Sequence, residues 1–209
     1  LRTWGRVFHV NFFSSVVLAR GLFDELKAAQ GAIVNVTSIA GARVHPFAGA
    51  AYATSKAALA GLTREMAHDY GPHGIRVNAI APGFFLTEQN RFLLTDEKTG
   101  DLTPRGKTIV DHTPMGRFGD ASELIGTVIW LLSDAAKFVT GVVVPVDGGF
   151  SAFGGEHGSL WLTAFVLAGL GGIAGLIGGG AASAQVLLVA VPAVAVAVVT
   201  LPRLRRLYG

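Results

Sequence analysis

The sequence predicts an α/β fold built on a parallel sheet and followed by an apolar helical hairpin, and three observations carry that expectation. Short apolar runs at Ala32-Ile33-Val34-Asn35-Val36, Ile75 to Ile80 and Val142 to Val146 have the length and continuity of strands buried on both faces. Segments with helical spacing separate them, over residues 3–29, 51–70 and 120–132. Beyond residue 156, two charge-free apolar runs, residues 159–178 and 186–201, replace this alternation.

Residues 3–29 read as one long helix, with Val7, Val10, Val17, Leu18 and Leu22 at helical spacing and Gly31 as the stop signal. The first strand then leads through Ser38 into Gly41-Ala42-Arg43-Val44-His45-Pro46-Phe47, a loop in which His45 reads as a solvated residue. Alanines and leucines after residue 50 predict the next helix, which Gly71-Pro72-His73-Gly74 ends in a turn. A right-handed crossover places Ile75 to Ile80 parallel to the strand before it. Glu88 to Met115 is polar, carries Gly100, Pro104 and Pro114, and reads as a lid. Asp120 is placed to cap the last helix with Glu123 three residues on, which turns Leu124, Val128, Leu131 and Leu132 to the core.

Three side chains suggest chemistry. On a helix over 51–70, Tyr52 and Lys56 lie four apart on one face, within reach of one small molecule. Ser38 closes the first apolar run, at the strand end where open α/β sheets bind ligands. A phenol with an ordinary pKa of about 10 is a poor base near neutrality, and a neighbouring ammonium favours its phenolate. Such a set suits proton exchange with an alcohol oxygen, the serine hydroxyl steadying the charge that develops there. On spacing alone the alternative stands equally: Tyr52 as an amphipathic core residue, Ser38 in a turn and Lys56 solvated.

Several motifs in one order resolve that balance. Asn11 in Val10-Asn11-Phe12, Val34 to Gly41, Tyr52 to Lys56, Arg76-Val77-Asn78, Pro82-Gly83, and Val139-Thr140-Gly141 to Asp147-Gly148-Gly149 together resemble the short-chain dehydrogenase/reductase family over about residues 1–155. The resemblance implies the C-terminal half of a Rossmann-like doubly wound parallel sheet. It matches Asn11, Ser38, Tyr52 and Lys56 to the family's catalytic tetrad: Tyr52 as acid/base, Ser38 on the substrate oxygen, Lys56 on the nicotinamide ribose and Asn11 on a relay water. It further implies NAD or NADP as cofactor, held through Tyr52, Lys56, Pro82, Gly83 and Thr87, and a homo-oligomer. The substrate class is a small alcohol or ketone. The stretches Thr87-Glu88-Gln89-Asn90-Arg91 and His112 to Gly119 are similar to the fructuronate or mannonate oxidoreductases, which implies a sugar acid with Arg91 as its carboxylate partner. No glycine-rich turn of the kind that receives a pyrophosphate follows a strand in residues 1–155, so a non-catalytic family remnant is the alternative expectation.

The sequence thus divides into a partial catalytic domain, residues 1–156, and an apolar tail, residues 157–209. A membrane-spanning helix needs about 20 apolar residues, so the tail reads as a transmembrane hairpin through residues 159–201. Arg203, Arg205 and Arg206 would then hold its end, and the enzyme-like region, at the cytoplasmic face. A second possibility packs the tail against the sheet. These three arginines, in a segment without acids, account for the whole formal charge of +3, so the basic balance marks no nucleic-acid surface. Zero cysteines exclude disulfides and thiolate metal sites.

Overall fold

The computed structural model describes residues 1–44 and 47–152, together with two short strands near the C-terminus. Its centre is a parallel sheet of β1 (Ala32–Val36), β2 (Arg76–Pro82) and β3 (Val143–Val146), in that order. Ala32 pairs with Arg76 and Val36 with Ile80, and Ala79 to Pro82 pair with Val143 to Val146. Consecutive residues of β1 and β2 are buried, as a sheet covered on both faces requires.

The expected first helix forms, but in pieces. α1 (Arg2–Phe8) runs into a π-helical turn, His9–Phe13, then α2 (Ser14–Gly21) and α3 (Phe23–Ala29), with a break at Leu22. A π turn carries one extra residue and breaks the regular spacing that a 3.6-residue period reads, so hydrophobic periodicity does not reveal it. Gln30, at φ 47°, and Gly31 end the segment.

The helix α4 (Ala50–Tyr70) follows β1, and its buried Thr63 accepts a hydrogen bond from Asn35 of β1 at 3.0 Å. Where a lid was expected, two short helices stand, α5 (Arg91–Leu94) and α6 (Pro104–Asp111). Thr103 caps α6 by accepting from the Gly106 amide at 3.1 Å, Pro104 fills its first turn, and Leu94 and Ile109 are buried. The helix predicted over 120–132 opens as a 3₁₀ turn, Ala121–Leu124, before α7 (Ile125–Leu132). Asp120 and Glu123 make the expected reciprocal cap. Leu131 and Leu132 join the core, and Leu124 and Val128 pack against it.

The Arg76-Val77-Asn78 stretch has structural work. Asn78, fully buried, donates to the Val139 carbonyl at 2.9 Å and accepts from the Val142 amide at 3.2 Å, clipping the segment before β3 to β2. Arg76 donates to the carbonyls of Leu131 and Ser133 at the end of α7, where a helix terminus favours a cation.

The tail departs from expectation where it is described. Within the second apolar run, β4 (Val186–Val189) and β5 (Val196–Val199) pair antiparallel instead of continuing one helix. Valine, restricted at its β-branch, favours extended backbone, which composition-based counting of apolar residues ignores. The run at 159–178 and residue His45 lie outside the described residues. Among the described residues no helix is long and apolar enough to cross a membrane.

Candidate active site

Ser38, Tyr52 and Lys56 meet at the carboxyl end of β1, and Gly83 at the end of β2 lies on the same cavity as Ser38 and Tyr52. Ser38 follows β1 in extended backbone, and its hydroxyl accepts from the Ala40 amide at 3.2 Å, which fixes the turn behind it. That turn lies directly on α4. A Cβ on Gly41 would stand 2.7 Å from the Ala57 nitrogen and 2.8 Å from the Lys56 carbonyl carbon, so only glycine allows the approach. The contact sets Ser38 against the helical turn that carries Tyr52 and Lys56.

Ser38 and Tyr52 line one cavity of about 280 Å³, with Phe47, Gly83, Phe84 and Arg105. Tyr52 is 40% exposed, so its ring opens to that space. Lys56 sits behind the ring, its Nζ 5.8 Å from the ring centroid, and donates to the Val36 carbonyl at 2.8 Å. Burial pulls its pKa down from 10.5 to about 8, because desolvation penalises the ammonium.

Asn11 reaches the group indirectly. It lies in the π turn, and its Nδ2 donates to Ser55 Oγ at 3.1 Å; Ser55 in turn donates to the Tyr52 carbonyl at 2.7 Å. The irregular turn thus couples the first helical segment to the turn of α4 that bears Tyr52. π turns are frequent at functional sites.

The remaining expectations divide. Gly83 lines the cavity, but the close approach it permits is to Asp147, whose Cβ would lie 2.6 Å from a Cβ at this position. Pro82 ends β2 beside it, in register with Val146. Thr87 is exposed, outside the lining, and its amide already donates to Asn90 Oδ1 at 2.8 Å. Arg91 is likewise outside the lining, exposed and paired with Glu88 at 3.3 Å. The cation at the cavity is Arg105, which sequence reasoning passed over among the polar residues of the lid. The usable signal was Thr103-Pro104, a helix start that puts Arg105 near the first turn of α6. Among the described residues no cluster of acidic residues and histidines could hold a metal ion.

The fold is that of an open α/β protein with its cavity outside the carboxyl ends of parallel strands, the position in which such sheets bind ligands. A family model described as Enoyl-(Acyl carrier protein) reductase matches residues 1–151, and the chain belongs to this short-chain dehydrogenase/reductase family. It is 58% identical over 147 residues to Protein FixR of Bradyrhizobium diazoefficiens, covering 70% of this chain and 49% of that protein. It is 44% identical over 153 residues to the uncharacterized oxidoreductase UxuB of Bacillus subtilis, covering 71% of this chain and 54% of the relative. Among solved structures, it resembles a candidate D-mannonate oxidoreductase from Haemophilus influenza with bound NAD, at TM-score 0.66 and 37% identity over 73% of this chain and 55% of that one. A gluconate 5-dehydrogenase from Burkholderia cenocepacia, in complex with NADP and tartrate, gives TM-score 0.65 and 33% identity over 72% and 57% of the two chains. The chain spans about half the length of the curated relatives it matches.

Proposed function

We propose that this chain carries the proton-transfer residues of an NAD(P)-dependent oxidoreductase acting on a small alcohol or its carbonyl partner, with a sugar acid of the gluconate or mannonate type as substrate. The observation that carries the reading is the shared cavity: Ser38 and Tyr52 line it, and the Lys56 ammonium backs the Tyr52 ring. The Tyr52 hydroxyl exchanges a proton with the substrate oxygen, giving it when a carbonyl is reduced and taking it when an alcohol is oxidised. Ser38 hydrogen-bonds the same oxygen and steadies its partial charge. Lys56 offsets the negative charge that the tyrosine oxygen gains when it releases its proton. Asn11 positions the Tyr52 turn through Ser55.

The donor set fits the nicotinamide end of a dinucleotide. Lys56 uses one ammonium hydrogen on Val36, which leaves two for ribose hydroxyls, and Gly83, directly after Pro82 at the end of β2, lines the cavity. A bound nicotinamide would supply the hydride acceptor or donor. The sugar-acid assignment draws on relatives named as gluconate 5-dehydrogenase and as a candidate mannonate oxidoreductase. Exposed apolar residues along the first helical segment, Trp4, Val10, Phe13 and Val17, support a homo-oligomer.

A second reading is a non-catalytic member. It is favoured by a relative 40% identical that bears the name Inactive 2-(S)-hydroxypropyl-CoM dehydrogenase 2. Titration with NAD(H) and NADP(H), followed by nicotinamide fluorescence, separates the two. The oxidoreductase reading expects saturable binding that Lys56→Met weakens at least tenfold. Absence of saturable binding favours the inactive member.

A further inference from the structure

We propose that Arg105 is the specificity residue of this cavity, holding the carboxylate of a hydroxy-acid substrate whose carbinol lies at Ser38 and Tyr52. The assignment rests on the oxidoreductase reading for the second half of that statement, and on Arg105 alone for the first.

Arg105 is the one charged side chain among the described residues that line the cavity. Its guanidinium carbon stands 4.6 Å from the centroid of the Phe47 ring, so the ring covers the cation on one side and shields it from water. Its Nε is buried and has no hydrogen-bond partner among the described residues. An unmatched buried donor is costly, so the protein around Arg105 leaves its guanidinium incompletely satisfied. The two Nη groups present parallel N–H donors, a fork matched to the two oxygens of a carboxylate.

Three other arginines are committed elsewhere. Arg91 pairs with Glu88, Arg117 makes a two-point pair with Glu123 at 2.7 and 2.8 Å, and Arg76 is spent on carbonyls at the end of α7. Arg105 makes no ion pair among the described residues. The backbone that carries it is firmly placed: Thr103 caps α6 and also donates to the Leu93 carbonyl at 2.8 Å, and Ile109 one turn on is 1% exposed. A cation in this position lies ready for an anion without repacking the helix. The Phe47 ring, on the loop that follows the Ser38 turn, joins the anion subsite to the proton-transfer residues.

D-gluconate and D-glucitol test the proposal, because they share a six-carbon polyol chain and differ in carboxylate against hydroxymethyl. Their affinities are measured by isothermal titration calorimetry, with and without NAD, in the wild type, Arg105→Met and Arg105→Lys. The wild type is expected to bind gluconate at least tenfold tighter than glucitol, and Arg105→Met to bring that ratio to about one. Arg105→Lys keeps the charge and loses the fork, so it lowers the ratio part of the way; it also serves if the methionine variant does not fold. A ratio unchanged in both variants, or a wild type that does not prefer gluconate, overturns the proposal. If gluconate binds through Arg105 but NAD is never reduced, the anion subsite stands and the oxidoreductase reading falls. If NAD reduction depends on Tyr52 while the ratio ignores Arg105, the reverse holds.

Discussion

Replacing Lys56 with methionine isolates the energetic burden of a buried ammonium beside the site. Burial lowers its pKa from 10.5 to about 8, and at about 1.4 kcal/mol per pKa unit that gap is worth roughly 3 kcal/mol. The sign follows from proton counting. Between about 8 and 10.5 the unfolded chain holds a proton on Lys56 that the folded chain has released. Folded stability therefore rises with pH across this window, and the full penalty applies below it. Methionine preserves the apolar stem and removes the titration. Urea unfolding of both proteins, at pH values spaced from below 8 to above 10.5, gives the stability difference directly, with titrations common to both cancelling. The wild type should gain roughly 3 kcal/mol relative to Lys56→Met over that range. A difference that stays flat would show that the ammonium is solvated and that the site lacks a buried cation behind Tyr52. The absolute offset carries a separate contribution, the lost hydrogen bond to Val36, of about 1.5–3 kcal/mol.

Three further outcomes are expected. Gly41→Val should push the Ser38 turn off α4, because a Cβ there already meets backbone at 2.7 Å; with overpacking of this kind costing about 1–3 kcal/mol, unfolding moves to lower urea and any turnover falls with it. Asn11→Ala, which removes the bond to Ser55, should destabilise by about 1 kcal/mol and loosen the α4 turn, visible as faster amide exchange near Tyr52. Glu123 is held at about 2 by its hydrogen bonds from Arg117 and the Asp120 amide, below its ordinary 4.5. It therefore adds stability above 4.5 that disappears as pH falls through about 2, and the stability gap between wild type and Glu123→Gln should close over that acid range.

The parts of the fold legible in sequence were those with a strong local signal. The strands at Ala32 and Ile75 stand as continuous apolar runs because both faces of the sheet are covered, and Asp120 with Glu123 is a capping pattern readable from spacing alone. The Tyr52 to Lys56 spacing placed both residues on one helical face, and the structure brings that face to Ser38. What stayed hidden depends on tertiary contacts. The π turn at Asn11 breaks no composition rule, and its partner Ser55 reads as an ordinary helix residue until two helices meet. Arg91 and Arg105 are indistinguishable as charges on a polar stretch. Only packing gives one an exposed glutamate and the other an aromatic ring beside a cavity. In the tail, apolar length predicted helices, whereas the described valine-rich segments pair as strands.

The measurement closest to the centre of this account is the rate of NAD(P)H formation from a sugar acid in the wild type and in Tyr52→Phe, with dinucleotide affinity measured alongside. Removing the one transferable hydroxyl should lower turnover by about 10²–10⁴-fold while the dinucleotide still binds. Equal turnover in the two proteins would contradict the role given to Tyr52 and, with it, the oxidoreductase assignment of the cavity.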